Sequence, residues 1–128
     1  MRIRWTVKMT ALMLVFLVGV LSACSGSDIR SVDPADVEVG LKSDPSPAKA
    51  SQPVTLTATF DGVEPAEWAK AVLEIRVDGS MKLVDAQKTP EGGYAAKFTF
   101  PKTGTYDIYV HLYQGDFHVT KLKKLEVS

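Results

Sequence analysis

Past about residue 36 the chain is built from short runs in which apolar and polar residues alternate, the period-two signature of strands with one face in a core. Val37, Val39 and Leu41 share one face of the first run, which Ser43-Asp44-Pro45-Ser46-Pro47 ends. Val54, Leu56, Ala58 and Phe60 point one way in the second, with Thr55, Thr57 and Thr59 opposite, a β-branched pattern that suits a pleated, half-buried surface. After Asp61-Gly62, the segment Glu64 to Lys70 loses alternation and reads as a single helical turn with Trp68 capping the end of the core. Ala71, Leu73, Ile75 and Val77 form the next set, closed by Asp78-Gly79, and Met81 to Val84 reads as a short edge strand. Tyr94, Ala96, Phe98 and Phe100 alternate before the turn Pro101 to Gly104. Tyr106, Ile108, Val110 and Leu112 then face inward, leaving Asp107, Tyr109, His111 and Tyr113 outward. The final run, Phe117 to Val127, carries Lys121, Lys123 and Lys124, as expected of an edge protected against pairing with another chain.

About seven short antiparallel strands, frequent turns and almost no helix predict an all-β fold, a single immunoglobulin-like β-sandwich. Gly104-Thr105-Tyr106 fits the tyrosine corner of such sandwiches, in which a tyrosine hydroxyl bonds backbone across a turn; the plainer alternative is that Tyr106 is an amphipathic core residue.

The first residues follow another logic. Arg2, Arg4 and Lys8 precede an apolar run from Met9 to Val20, then Leu21-Ser22-Ala23-Cys24. This is the layout of a signal peptide, and the run is shorter than the roughly 20 residues a membrane-spanning helix needs. Leu21-Ser22-Ala23-Cys24 resembles the lipobox of bacterial lipoproteins, which implies cleavage between Ala23 and Cys24 and acylation of Cys24. Ordinary secretory cleavage near Ala23, leaving a free thiol, is the alternative. The expected organisation is a signal peptide over 1–23, a flexible tether over 24–35 starting at the lipidated cysteine, and one domain over 36–128. The partner this implies is the membrane, reached through the lipid anchor from its extracytoplasmic face. Cys24 is the only cysteine, so no intramolecular disulfide is available and the domain must hold by its core.

Removing residues 1–23 leaves 12 basic against 15 acidic side chains, a net charge of −3. That balance argues against nucleic acid as a partner, which asks for clustered positive charge. The chain has no nucleophile elbow, no glycine-rich phosphate loop after a strand and no zinc-type Cys/His spacing, so no catalytic function is expected. Glu64 and Glu67 read as solvated loop charges.

The chemistry that remains lies in His111-Leu112-Tyr113-Gln114-Gly115-Asp116-Phe117-His118. A two-residue turn at Gln114-Gly115 predicts His111 directly across from His118, on one face and close enough to share a metal ion; a three-residue loop predicts opposite faces. Two histidines do not complete a transition-metal site, and Met81, Asp116 or a partner protein is the candidate third ligand. A thioether would favour Cu(I). The plain alternative is a pair of surface residues on a sheet face flanked by Tyr109 and Tyr113; with Asp116, those tyrosines form a candidate binding surface.

From about Val37 to Val127 the chain resembles the YtkA-like family, related to FixH-like domains, of small extracytoplasmic β-sandwiches often made as lipoproteins. The residues that carry the resemblance are Gly93-Tyr94-Ala95-Ala96-Lys97-Phe98, Pro101 to Tyr106, Val110-His111, and Gly115-Asp116-Phe117-His118 before a lysine-rich last strand. Family members commonly place methionines around the second histidine in a Gly-x-Met-His-x-Met arrangement, where this chain has Phe117 and Thr120. The resemblance implies copper as a possible cofactor and a link to assembly of respiratory oxidases. Three functional expectations follow: a non-catalytic binding or accessory module tethered at the cell surface and working with a protein of the envelope, a copper-binding chaperone or sensor using His111 and His118, and a structural or adhesive module.

Overall fold

Alternation becomes strand at every run where the sequence has it. The computed structural model describes residues 29–128; the expected signal segment, the expected cleavage between Ala23 and Cys24 and the expected lipidation of Cys24 lie outside the described residues. The strands are β1 (Glu38–Asp44), β2 (Pro53–Asp61), β3 (Lys70–Val77), β4 (Ser80–Lys88), β5 (Tyr94–Thr99), β6 (Gly104–Gln114) and β7 (Phe117–Val127). All pair antiparallel, in the order β1-β2-β5-β4-β3-β6-β7.

This order folds into two layers because β4 belongs to both. Along most of its length β4 pairs with β3, from Val77↔Ser80 to Ala71↔Ala86, and its last two residues pair instead with β5, Gln87↔Ala95 and Lys88↔Tyr94. The layers are therefore β1-β2-β5 and β4-β3-β6-β7, an immunoglobulin-like sandwich. The chain after β1 crosses between them: Ala48 bridges Val127 in parallel, and the Ala50 amide donates to the Ser128 carbonyl at 2.9 Å. Expected as a short edge strand, Met81 to Val84 is thus part of a nine-residue strand that joins the two layers.

The inward residues of each run meet between the layers. Val54, Leu56, Leu73, Ile75, Phe100, Ile108, Val110 and Leu112 have no exposure, and no charged or polar residue is fully buried among the described residues. The Tyr106 hydroxyl donates to the Lys102 carbonyl at 2.7 Å, which realises the tyrosine corner. Asp78 and Gly79 turn β3 into β4 with φ of 49° and 79°, positive at both central positions as a type I′ turn requires.

Two expectations change. The folded part begins before Asp36: Ile29–Ser31 and Pro34–Asp36 form 3-10 turns, Ile29 and Val32 pack against the core, and Lys121 Nζ donates to the Ala35 carbonyl at 2.9 Å. Residues 29–35 are therefore a docked segment and not part of a flexible tether. Trp68, expected over the end of the core, is 65% exposed. Its segment makes one hydrogen-bonded turn, Ala69 N–H to the Ala66 carbonyl at 3.0 Å, and the indole projects outward from it.

Candidate functional site

The β6–β7 hairpin turns through Gly115 and Asp116, with Gln114↔Phe117 the closing pair. Gly115 has φ of 58°, and a type II′ turn puts glycine at this first central position because φ is positive there. The predicted turn one residue earlier would have put Gln114 in that conformation. The register is corrected accordingly: Tyr113 lies across from His118, and His111 lies across from Thr120. A two-residue turn moved by one position changes each partner by two, and a shift of two preserves the face. The histidines still share the outer face of β4-β3-β6-β7, as diagonal neighbours.

They touch. His111 Nδ1 is 3.2 Å from His118 Nε2, and the Thr120 hydroxyl oxygen is 3.1 Å from the first and 3.0 Å from the second. The rings are close to parallel, His111 at 21° to His118 with centroids 5.5 Å apart. Tyr113 stacks on both, 4.2 Å from His118 at 17° and 5.8 Å from His111 at 10°.

Behind His111 stands Glu74, which was not singled out from sequence. β3 lies beside β6 with Val72↔His111 and Glu74↔Tyr109, so Glu74 reaches diagonally to the histidine, and its Oε2 is 3.2 Å from His111 Nε2. The Glu74 and His111 side chains are 13% and 12% exposed, sheltered enough for the contact to be only weakly screened. A carboxylate only accepts, so His111 Nε2 carries the hydrogen and Nδ1 presents its lone pair to His118 and Thr120. Glu74 Oε1 is held by the Arg76 guanidinium, which in turn lies 5.6 Å over the Tyr109 ring. The signal in the sequence was Glu74's outward parity in the run Ala71 to Val77; which strand would stand beside it was not readable.

His118 is exposed as a residue, yet its Nε2 is turned into this cluster. Partial burial, and then the neighbouring His111, hold its pKa below the ordinary histidine value, favouring the neutral ring. Neutral imidazoles are the form that binds metals.

A metal ion about 2.05 Å from both His111 Nδ1 and His118 Nε2 would subtend about 100° at their separation, close to the tetrahedral angle. The Thr120 oxygen is a weak third donor. Met81 does not join: it pairs with Arg76, four residues along β3 from the partner of His111, about 13 Å along the strand and about 10 Å across it. Asp116 is exposed in the turn, and among the described residues it is not grouped with the histidines in a set that could hold a metal. The donor set is thus imidazole and oxygen, which suits Cu(II) or Zn(II) better than Cu(I). Among the described residues, no group of three or more His, Cys, Asp or Glu side chains is placed to hold a metal.

At the end of the hairpin a second feature adjoins the first. Ile29, Arg30, Trp68, Gln114, Gly115, Asp116 and Phe117 line one shallow cleft. The Ala66 amide donates to Gln114 Oε1 at 2.8 Å, tying the Trp68 turn to the hairpin tip. No helix among the described residues is long and apolar enough to cross a membrane. No protein-family model matches the chain, and no curated protein is similar to it.

Proposed function

We propose that this chain is an extracytoplasmic lipoprotein, anchored by acyl chains on Cys24, that acts as a non-catalytic binding or accessory module through the outer face of its last hairpin. The observation that carries the binding surface is the organised cluster of His111, His118, Tyr113 and Thr120, backed by Glu74. Solvated surface residues of a sheet seldom hold one another this way, since ordering side chains costs entropy that must be offset by contacts. Three near-parallel rings, stacked on one another, form a compact aromatic cluster, and the two imidazoles add donors and acceptors to it. Support for the anchor comes from sequence: a basic start, an apolar run and Leu21-Ser22-Ala23-Cys24.

The same cluster supports a second reading, a transition-metal site, as the resemblance to YtkA-like domains implies. The favouring observation is the 3.2 Å separation of His111 Nδ1 and His118 Nε2 with Glu74 on the far nitrogen, the arrangement by which a carboxylate orients a ligating histidine. A partner protein in the envelope would complete the ligand set, as delivery to an oxidase would require.

Titration of the protein with Cu(II), Zn(II) and Cu(I), beside a His111→Ala/His118→Ala variant, separates the readings. Saturable binding by the parent alone supports the metal reading, with Cu(II) or Zn(II) preferred over Cu(I); equal weak binding by both proteins removes it and leaves the hairpin face as a protein-binding surface. Labelling of cells with a radioactive fatty acid tests the anchor: the parent is expected to take up label and Cys24→Ala none, and equal labelling of the two, or none in either, refutes lipidation at Cys24.

A further inference from the structure

The Trp68 indole is 65% exposed at the same end of the sandwich where the described chain begins. Ile29 packs against the core there, and the cleft it lines with Trp68 also takes in Gln114, Gly115, Asp116 and Phe117 of the hairpin tip. A Cβ on Gly115 would lie 3.8 Å from Trp68 Cη2, so indole and turn form one surface. We infer that this end, with Trp68 as its leading side chain, rests in the headgroup region of a lipid bilayer. The inference depends on the proposed anchor at Cys24.

Its basis is length. Only Ser25, Gly26, Ser27 and Asp28 separate Cys24 from Ile29, five residue steps that span at most about 17 Å when fully extended. Acyl chains on Cys24 lie in the bilayer, so Ile29 stays within that distance of the headgroups. β6 runs from the far end of the sandwich at Gly104 to this end at Gln114, ten residue steps or about 33 Å. For the far end to lead toward the membrane, Ile29 would have to stand roughly that far off, beyond the reach of the tether. The remaining orientations are tip-down and side-on.

Trp68 selects tip-down. Tryptophan is the side chain most at home in the interface, its ring apolar and its N–H able to bond to water or headgroups. The cleft's rim carries one basic and one acidic side chain, Arg30 and Asp116, so no net charge at this cleft repels a lipid surface. The orientation is therefore set by tether and aromatic, and it survives in neutral lipid. It also fixes where the histidine cluster works. Tyr113 and His118 form the pair next to the one that closes the turn, so the cluster sits just above the headgroups, within reach of the outer loops of membrane proteins.

The sequence supplies its own probe. Trp5 and Trp68 are the only tryptophans, and removal of residues 1–23 leaves Trp68 alone. The full chain is expressed in a bacterium and purified from membranes in detergent. Its intact mass is measured, and it is reconstituted into phosphatidylcholine vesicles with or without bromine near the glycerol end of the acyl chains. Trp68 emission is expected to shift to the blue in vesicles and to be quenched by the brominated lipid. A Trp68→Phe/Lys102→Trp variant, with its reporter in the turn at the far end, is expected to remain unquenched. Equal quenching of both reporters, or of neither, overturns the inference while the anchor stands. A blue shift that depends on protein concentration and not on lipid assigns the face to a second copy of the chain and also overturns it. A mass without acyl chains removes the anchor and the inference together.

Discussion

Replacing Glu74 by Gln should invert the tautomer of His111. Glu74 stands between a cation and a donor, the Arg76 guanidinium paired with Oε1 and the His111 ring nitrogen 3.2 Å from Oε2. A carboxylate serves both; an amide has one oxygen and one NH2. A guanidinium attracts the negative end of the amide dipole and repels its NH2, so the amide oxygen should stay beside Arg76 and the NH2 turn to the histidine. His111 Nε2 then becomes an acceptor, the hydrogen moves to Nδ1, and the lone pair facing His118 and Thr120 is lost. Removing a carboxylate behind a ligating histidine typically weakens metal binding 10–100-fold, or about 1.4–2.7 kcal/mol. Ring-nitrogen NMR of the metal-free protein reads the tautomer, and calorimetric titration with Zn(II) reads the affinity. An E74Q protein that keeps hydrogen on Nε2 and binds zinc as tightly as the parent would refute the orienting role of Glu74.

Two further outcomes follow from single contacts. Tyr106→Phe removes the 2.7 Å bond to the Lys102 carbonyl while leaving the ring against Phe100 at 4.7 Å, and should lower stability by about 1 kcal/mol, or roughly 4–8 °C in Tm for a domain of this size. Unfolding midpoints in urea check it, and an unchanged midpoint means the corner bond is no better than one to water. For pH, His118 has a folded-state pKa below its unfolded value, so the unfolded chain takes up the proton first as pH falls. Its contribution to stability is complete above the unfolded value of about 6.5 and is lost as pH drops from there toward the lower folded value. Urea unfolding at successive pH values across that window should therefore show a decline that is smaller in His118→Ala; identical slopes would exclude His118 as its source.

How much of this was readable in the sequence depends on the range of the information involved. The inward residues of β2, β3 and β6 follow from period two alone, because each strand needs only its own alternation to know its faces. Val54, Leu56, Ala58 and Phe60 are all buried, as are Ala71, Leu73 and Ile75. The tyrosine corner was readable for the same reason, since hydroxyl and carbonyl are four residues apart. Contacts between strands were not. Glu74 meets His111 only because β3 lies beside β6, a neighbourhood set by the packing of the whole sandwich. Met81 could be offered as a ligand because nothing local says which row of the sheet it occupies. The turn position was within reach: its first central residue takes positive φ, and of Gln114 and Gly115 only glycine adopts that at no cost. Trp68 failed for want of any periodicity in its segment.

The division between faces also bears on where function can reside. The interior holds apolar side chains and two tyrosines, of which Tyr106 is bonded to backbone and Tyr94 has its hydroxyl pKa raised by burial. No ionised group is buried there among the described residues, so the core offers stability and no acid–base chemistry. On the outer face of β4-β3-β6-β7, by contrast, parity sets Glu74, His111, His118, Thr120 and Tyr113 together from three adjacent strands. β3 and β6 each have hydrogen-bonded neighbours on both sides, so two of these strands cannot shift without breaking two ladders. A site placed on such strands is held more rigidly than one on a loop. The small sandwich thus separates its faces by side-chain parity: even steps along β6 from Tyr106 build the core, and the odd positions between them place Tyr109, His111 and Tyr113 on the outer face.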